Sequence, residues 1–354
     1  MPDPLTAAGL ATPLPAGERS REAPVRGIQA QTAMSPSPKP SPPRGEGEHP
    51  SLREAFIATV RVLREAGIET PELDARLLLC HAAALSHEAY IARSREALQP
   101  ETSARLDAAI ARRLKHEPVS RITGSREFYG RSFQVDADVL DPRPDTETLI
   151  EAALGIVKRQ RWHDKPLRLL DLGTGTGCIL LTLLAELPRA RGVGIDKSQA
   201  ARACASANAR RLGVDDRARL IAADWLDGIE GRFDLILSNP PYLPSCDIPG
   251  LAPDVAGYDP ILALDGGADG LDAYRHVAAR APRALAEDGR LVLEIGATQA
   301  EAVQKILCEA VLRPQALRRD LAGRPRVVVA AREPALGAKR RKAKIPLGKP
   351  PCSD

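Results

Sequence analysis

Apolar positions recur at helical spacing from the first ordered-looking stretch of this chain. Leu52, Phe56, Val60 and Leu63 share one face, and Gly67 stops the run. Pro71 opens a second amphipathic stretch, Glu72-Leu73-Asp74-Ala75-Arg76-Leu77-Leu78-Leu79-Cys80. Ser86 and Pro100 fit the starts of two more helices. The last carries Leu106, Ile110 and Leu114 on one side and ends near Lys115. Together they predict a small helical bundle over 51–116. Over residues 117–141 the period changes. Gly124, Gly130 and the alternation Ser132-Phe133-Gln134-Val135 predict a β-hairpin linker. The segment Pro142-Arg143-Pro144-Asp145-Thr146-Glu147 then leads into a helix over 148–157. Beyond Pro166, short apolar runs predict strands at 167–172, 191–195, 218–222, 233–238, 290–295 and 326–331, most of them separated by helical segments. Alternation of this kind predicts an α/β domain, 142–333, around a mainly parallel sheet.

The two ends read differently. Residues 1–50 are rich in Pro, Ser, Gly, Arg and Glu and have too little apolar surface to offset chain entropy, so disorder is expected there. Met34 is a second candidate start. The tail, 334–354, carries Lys339-Arg340-Arg341-Lys342-Ala343-Lys344, which reads as a solvated basic end. Composition narrows the function classes. The 354 residues are 44% hydrophobic, enough for a sizeable core, and the formal net charge of +4 demands no nucleic-acid partner. Cys80, Cys178, Cys204, Cys246, Cys308 and Cys352 form no C-x-x-C pair. That argues against a zinc site or a disulfide framework, so no metal is expected, and it fits a reducing cytoplasm. The chain has no long apolar run, so no membrane span is expected, and the start lacks the pattern of a signal peptide.

Two motifs carry chemistry. The first is Gly173-Thr174-Gly175-Thr176-Gly177, placed where a strand turns into a helix. Glycines there let backbone approach a ligand and leave amides at the helix start. Such a turn alone also suits nucleotides or dinucleotides. Its surroundings discriminate: Asp171 at the strand end can meet a positively charged amino group. Asp196 at the end of the next strand can accept from two ribose hydroxyls. Asp224 can pair with an adenine amino group while Trp225 packs on the ring. The turn lacks the lysine a triphosphate would want. A ligand with an amino-acid end, a ribose and an adenine is S-adenosyl-L-methionine. Taken singly, Asp171 also suits a helix cap, Asp196 a turn and Trp225 core filling; their occurrence at successive strand ends favours the cofactor site.

The second motif is Asn239-Pro240-Pro241-Tyr242, after the apolar run Phe233-Asp234-Leu235-Ile236-Leu237-Ser238. Two prolines stiffen the backbone and remove two donors. The Asn239 side-chain oxygen and the Pro240 carbonyl can then accept both hydrogens of an NH₂ group, and Tyr242 can cover its flat face. Asn239, Pro240 and Tyr242 are therefore the expected catalytic residues, with Pro241 completing the acceptor site. An amide nitrogen is a poor nucleophile, and positioning of this kind can supply about 7–11 kcal/mol in ideal cases. A plain turn after a buried strand is the bland alternative.

With these motifs, the stretch 51–332 resembles the bacterial peptide chain release factor N5-glutamine methyltransferases, the PrmC/HemK family. The resemblance includes Asp74-Ala75-Arg76-Leu77-Leu78-Leu79, Arg112-Arg113 with Glu117-Pro118-Val119, and Thr123-Gly124-Ser125-Arg126-Glu127-Phe128-Tyr129-Gly130. It continues through 142–147, both motifs above, Asp265-Gly266-Gly267 with Asp269-Gly270-Leu271, and Glu294-Ile295-Gly296. Asp141 departs from it, standing where an apolar residue is usual. The resemblance implies a seven-stranded Rossmann-like class I methyltransferase domain behind a helical substrate-docking domain. It implies S-adenosyl-L-methionine as donor and the Gln of the Gly-Gly-Gln motif of release factors as acceptor, giving N5-methylglutamine and modulating translation termination. It places Gly173, Thr174, Gly175, Thr176, Gly177, Asp196, Trp225 and Asn239 on the donor, and Asn239, Pro240, Pro241 and Tyr242 on the glutamine. A monomer without a stable nucleic-acid partner is expected. An adenine N6-methyltransferase is the main alternative, since an exocyclic adenine NH₂ offers the same two hydrogens. It would need base flipping and a phosphate grip, and neither a recognition domain nor a basic platform is visible in 51–332. A catalytically idle binding module is the other alternative.

Overall fold

The computed structural model describes residues 49–333. The expectations of disorder for the two termini, and of an alternative start, concern stretches that lie almost wholly outside the described residues. Helices α1 (Leu52–Glu65), α2 (Pro71–Ala83), α3 (His87–Arg93) and α4 (Pro100–Arg113) make the bundle. Ser51 starts α1 with a capping box, its hydroxyl accepting from the Glu54 amide while the Glu54 carboxylate accepts from the Ser51 amide at 2.8 Å. Pro71 and Pro100 occupy first turns, where a missing N–H costs nothing. Leu63, Ala75, Leu78 and Leu79 are fully buried at the centre. A buried pair, Arg113 to Asp74 at 2.7 Å, joins α4 to α2.

The linker holds more than the expected hairpin. A short helix, α5 (Val119–Thr123), precedes the antiparallel strands β1 (Ser125–Phe128) and β2 (Arg131–Gln134). Five residues are too few to show a helical period; Pro118 starts this turn and Gly124, at φ 69°, ends it.

After α6 (Glu147–Gln160) the chain alternates through β3 (Arg168–Leu172), α7 (Cys178–Glu186), β4 (Arg191–Ile195), α8 (Gln199–Arg211), β5 (Ala218–Ile221) and β6 (Phe233–Ser238). A long connection containing the short α9 (Pro253–Ala256) leads to α10 (Asp272–Ala284), β7 (Leu285–Glu294), α11 (Ala300–Glu309), β8 (Leu312–Arg319) and β9 (Pro325–Arg332). The sheet order is β5-β4-β3-β6-β7-β9-β8. Strands β3 to β7 pair in parallel, and β9 is antiparallel to both β7 and β8. Strand β8 was not predicted. It alternates arginines and Gln315 with few apolar residues and carries Pro314 beside a register shift, as an edge strand can.

Alternate residues of the central strands face opposite layers. Leu169, Leu235 and Leu237 pack under α6 and α7, whereas Leu170, Leu172 and Ile236 pack against α10 and α11. The chain moves outward from β3 to β5, then returns to lay β6 on the other side of β3. A reversal of this kind leaves a crevice at the carboxyl ends of the strands. Among the described residues no helix is long and apolar enough to cross a membrane.

Candidate active site

The crevice is a cleft of about 550 Å³. Its walls bring together residues from both sequence motifs: Gly173, Gly175, Asp196, Asp224 and Trp225 on one side, Asn239 and Pro241 on the other. The two motifs thus open on a common space, as transfer between them requires.

The glycine turn is compact. Gly173, Gly175 and Gly177 all have positive φ, at 71°, 54° and 82°. A Cβ added at Gly173 or Gly175 would meet nothing within 4 Å, so the surface above the turn is open for a ligand. At Gly177 it would lie 2.7 Å from Leu181 Cδ1, so this glycine serves close packing instead. The expectation of free amides at the helix start is met only in part. Gly173 N and Thr174 N donate to Ile195 O, Gly177 N to Thr174 O, and Gly175 N to Asp196 Oδ2 at 3.0 Å. Cys178 N donates to Thr176 Oγ1. A phosphate-binding loop presents such amides to its ligand; here the turn uses them itself, which suits a ligand without phosphate.

Asp196 is half-buried at the end of β4, and its Oδ1 accepts from Ser198 N at 2.9 Å. Both carboxylate oxygens are therefore held by backbone amides on the cleft wall. Trp225 takes φ 52°, unusual for a bulky side chain, and is half-buried beside the second core layer. Asp224 is exposed next to it.

Asp171, Thr174, Thr176 and Gly177 are not on the cleft wall. Asp171 is fully buried; its Oδ2 accepts from Thr174 Oγ1 at 2.6 Å, while Oδ1 is buried without a partner. Burial, with Asp196 adding repulsion, pushes its carboxyl up to about 7. Asp171 thus lies beneath the turn, two residues before Gly173, and holds it through Thr174.

The second motif leaves β6 at Ser238, whose hydroxyl donates to Leu172 O at 2.7 Å and ties it to β3. Asn239 Nδ2 donates to Thr146 Oγ1 at 3.1 Å. With its nitrogen so engaged, the amide presents Oδ1 elsewhere. Among the described residues neither Asn239 Oδ1 nor the Pro240 carbonyl accepts a bond from protein. Pro240 is buried and Tyr242 half-buried against the core, so their side chains are not part of the cleft wall, whereas the Pro240 carbonyl has no protein partner. Burial raises the Tyr242 hydroxyl above its ordinary value.

The backbone of this motif is clamped by the long connection that follows. Leu243 N donates to Leu264 O and Gly266 N to Leu243 O, a parallel bridge to Asp265. A Cβ at Gly266 would sit 2.9 Å from the carbonyls of Gly270 and Pro241, so only glycine fits. Gln299 Nε2 donates to Tyr242 O at 2.9 Å and to Gly270 O at 3.2 Å. Asp259, buried, pairs with Arg121 at 3.1 Å and with Arg143, fastening the connection to α5 and to the segment before α6.

Several neighbours carried no individual sequence signal. Thr146 lies in the segment 142–147 that leads into α6, and nothing in the sequence marked that hydroxyl as Asn239's partner. Gln299 stands 57 residues from Tyr242, the part of the motif it holds. His276, Ile261 and Leu262 also line the cleft, from elements that pair with the motif only in three dimensions.

Comparison with known proteins agrees with this picture. The profile of the PrmC N-terminal domain matches residues 54–124, and that of the methyltransferase small domain matches 158–247. The release factor glutamine methyltransferase of Rhodospirillum rubrum is 48% identical over 273 residues, 77% of this chain and 82% of that protein. The protein so named in Cereibacter sphaeroides is 48% identical over 282 residues, 80% of this chain and 98% of that one. A ribosomal protein L11 methylase structure from Lactobacillus delbrueckii subsp. bulgaricus superposes with TM-score 0.40 at 24% identity, covering 55% of this chain and 83% of that one.

Proposed function

We infer the reaction from kinship and geometry together: the chain belongs to the release factor glutamine methyltransferase family. It is a methyltransferase that uses S-adenosyl-L-methionine, and its acceptor is the glutamine side-chain amide of the Gly-Gly-Gln motif in peptide chain release factors, giving N5-methylglutamine. The observation that supports this reading best is the cleft itself, which is lined by Asn239 together with Gly173, Gly175 and Asp196.

The residues fit the donor. Gly173 and Gly175 offer open backbone, Asp196 offers carboxylate lone pairs to ribose hydroxyls, and Trp225 with Asp224 borders the adenine end. Bound there, the donor supplies an electrophilic methyl group on a positively charged sulfur. Asp171 supports the turn from beneath through Thr174.

The acceptor side does the rest. An amide lone pair is delocalised into its carbonyl, so the nitrogen must be held before it can react. Asn239 Oδ1 and the Pro240 carbonyl accept its two hydrogens, and the flat side chain of Tyr242 backs the site. Accepting both hydrogens draws electron density toward the nitrogen and fixes its direction. The new N-methyl nitrogen sheds one of these protons as its bond forms, so no strong base is required beforehand. The domain assignment follows: 51–116 docks the body of the release factor, 117–141 links, and 142–333 carries out transfer in the cytoplasm. We expect a monomer and no stable nucleic-acid partner.

A methyl-transfer assay with labelled donor tests this. Purified release factor, duplex DNA and RNA are offered separately. Label should enter release factor alone, and Asn239→Ala should abolish transfer while largely sparing donor affinity by calorimetry. Label in DNA or RNA would favour the adenine enzyme instead.

A further inference from the structure

We propose that a smaller cavity, on the α6 face of the sheet and apart from the cleft, binds a phosphate group through Arg159, Arg290 and Arg318. The inference goes beyond the methyl-transfer reading and does not rest on it. The cavity holds about 220 Å³ and is walled by these three arginines, Gln160, Gln315 and a few apolar residues. It shares no residue with the cleft. Arg290 pairs with Leu235, four residues before Asn239 on the neighbouring strand, and so stands about 13 Å down the sheet from the acceptor motif.

Three elements bring the cations together. Arg159 lies in the last turn of α6, Arg290 on β7 and Arg318 on the edge strand β8, with β9 between the two strands. Alternation sets the strand residues on one face. Arg290 comes two residues before Val292 and Arg318 two after Ala316, and both Val292 and Ala316 belong to the layer under α6. The Arg159 guanidinium lies back over its own helix: a Cβ at Gly155 would come within 3.3 Å of Nη1. Glycine weakens a helix interior, and here it leaves room for that group.

Nothing negative answers this charge. Among the described residues no carboxylate lines the cavity, and none of the three arginines forms an ion pair. Arg159 has an ordinary reason for its place, the carbonyl end of a helix. Arg290 has none. It is half-buried, and its Nη1 donates to the backbone carbonyls of Asp288 and Gly289, the latter at 3.0 Å. Burial holds its guanidinium below the ordinary value; the Asp288 carboxylate works against that and the Arg159 charge works with it. A cation drawn out of water beside another is costly alone and favourable once an anion joins them. The shape of the site selects the anion. Donors from a helix above and from two strands on either side of β9 surround a space rather than meet it in one plane. A tetrahedral phosphate has oxygens for all three guanidinium forks, and Gln160 and Gln315 can donate to those left over. A planar carboxylate does not. One phosphate contact of this kind reads no bases.

Thermal unfolding of the full chain tests the site, with calorimetry for affinity. Inorganic phosphate, a short single-stranded RNA and chloride are compared at matched ionic strength. The midpoint should rise with phosphate or RNA and not with chloride. A rise with inorganic phosphate alone identifies a soluble phosphate as the source, and a rise with RNA at far lower concentration identifies a nucleic-acid backbone. Arg159→Gln and Arg318→Gln, both at exposed positions, should each weaken binding about tenfold or more. Arg290→Leu should abolish the rise without lowering the midpoint in phosphate-free buffer, because it removes a charge that has no partner there. Should Arg290→Leu fail to fold, the two exposed variants carry the test. No rise with either phosphate source, a rise that chloride matches, or one that survives in the Arg159→Gln, Arg318→Gln double variant would overturn the site.

Discussion

Two buried carboxyl groups, Asp171 and Glu294, make individual residues answer to pH. Burial raises both to about 7, from ordinary values of 3.8 and 4.5. The folded chain therefore holds protons that the unfolded chain has already released between about pH 4 and 7. Stability follows the difference in bound protons, so it is fully present at the acid end of that window and falls as pH rises through the folded values. Replacing Asp171 by Asn keeps a carbonyl acceptor for Thr174 Oγ1 and removes one titration. The variant should lose less stability than wild type between pH 5 and pH 8, read from urea midpoints at the two values. Parallel losses would show that the Asp171 carboxyl does not titrate as its burial implies. At this scale the sequence was informative about Asn239, Asp196 and Trp225, because motif spacing put each at a strand end. It was silent on burial, and so Asp171 looked like a cleft residue when it lies beneath one.

Elements placed the site more than single residues did. The alternation after Pro166 foretold six strands and a parallel sheet, and the glycine turn foretold the corner between β3 and α7. Two pieces escaped. Helix α5 is too short for a period, and β8 sits at an edge where arginines and Pro314 face little core. The connection between β6 and α10 was legible only as glycine-rich motifs. Its hold on the site depends on partners distant in sequence: Gln299 on Tyr242, and Asp259 between Arg121 and Arg143. No local pattern announces such pairings. Asp259 is the telling member, since its side chain is 1% exposed and that of Arg121 5%. Removing one partner of a buried ion pair strands the other charge, at about 3–5 kcal/mol. Asp259→Ala should lower the unfolding free energy by that amount and speed hydrogen exchange over 243–271. A loss under about 1 kcal/mol would place the pair among those that contribute little, as exposed ones do.

Across the described residues, 49–333, the parts divide the labour. The bundle has a core of its own, centred on Leu63, Leu78 and Leu79, and leaves Leu73 and Leu77 exposed a turn apart on α2. A face of that kind suits docking of a folded acceptor rather than the reaction itself. The sheet supplies the cleft at the point where strand order reverses, and the connection after β6 bonds the backbone that follows Tyr242. The central claim is that this cleft presents a glutamine carboxamide, and no other group, to the methyl donor. Tandem mass spectrometry of digested release factor, after incubation with the chain and S-adenosyl-L-methionine, tests it most directly. The expected result is one added methylene mass, confined to the side-chain amide of the Gln in Gly-Gly-Gln. A methyl group on any other residue, or an unmodified Gln beside fully consumed donor, would contradict it.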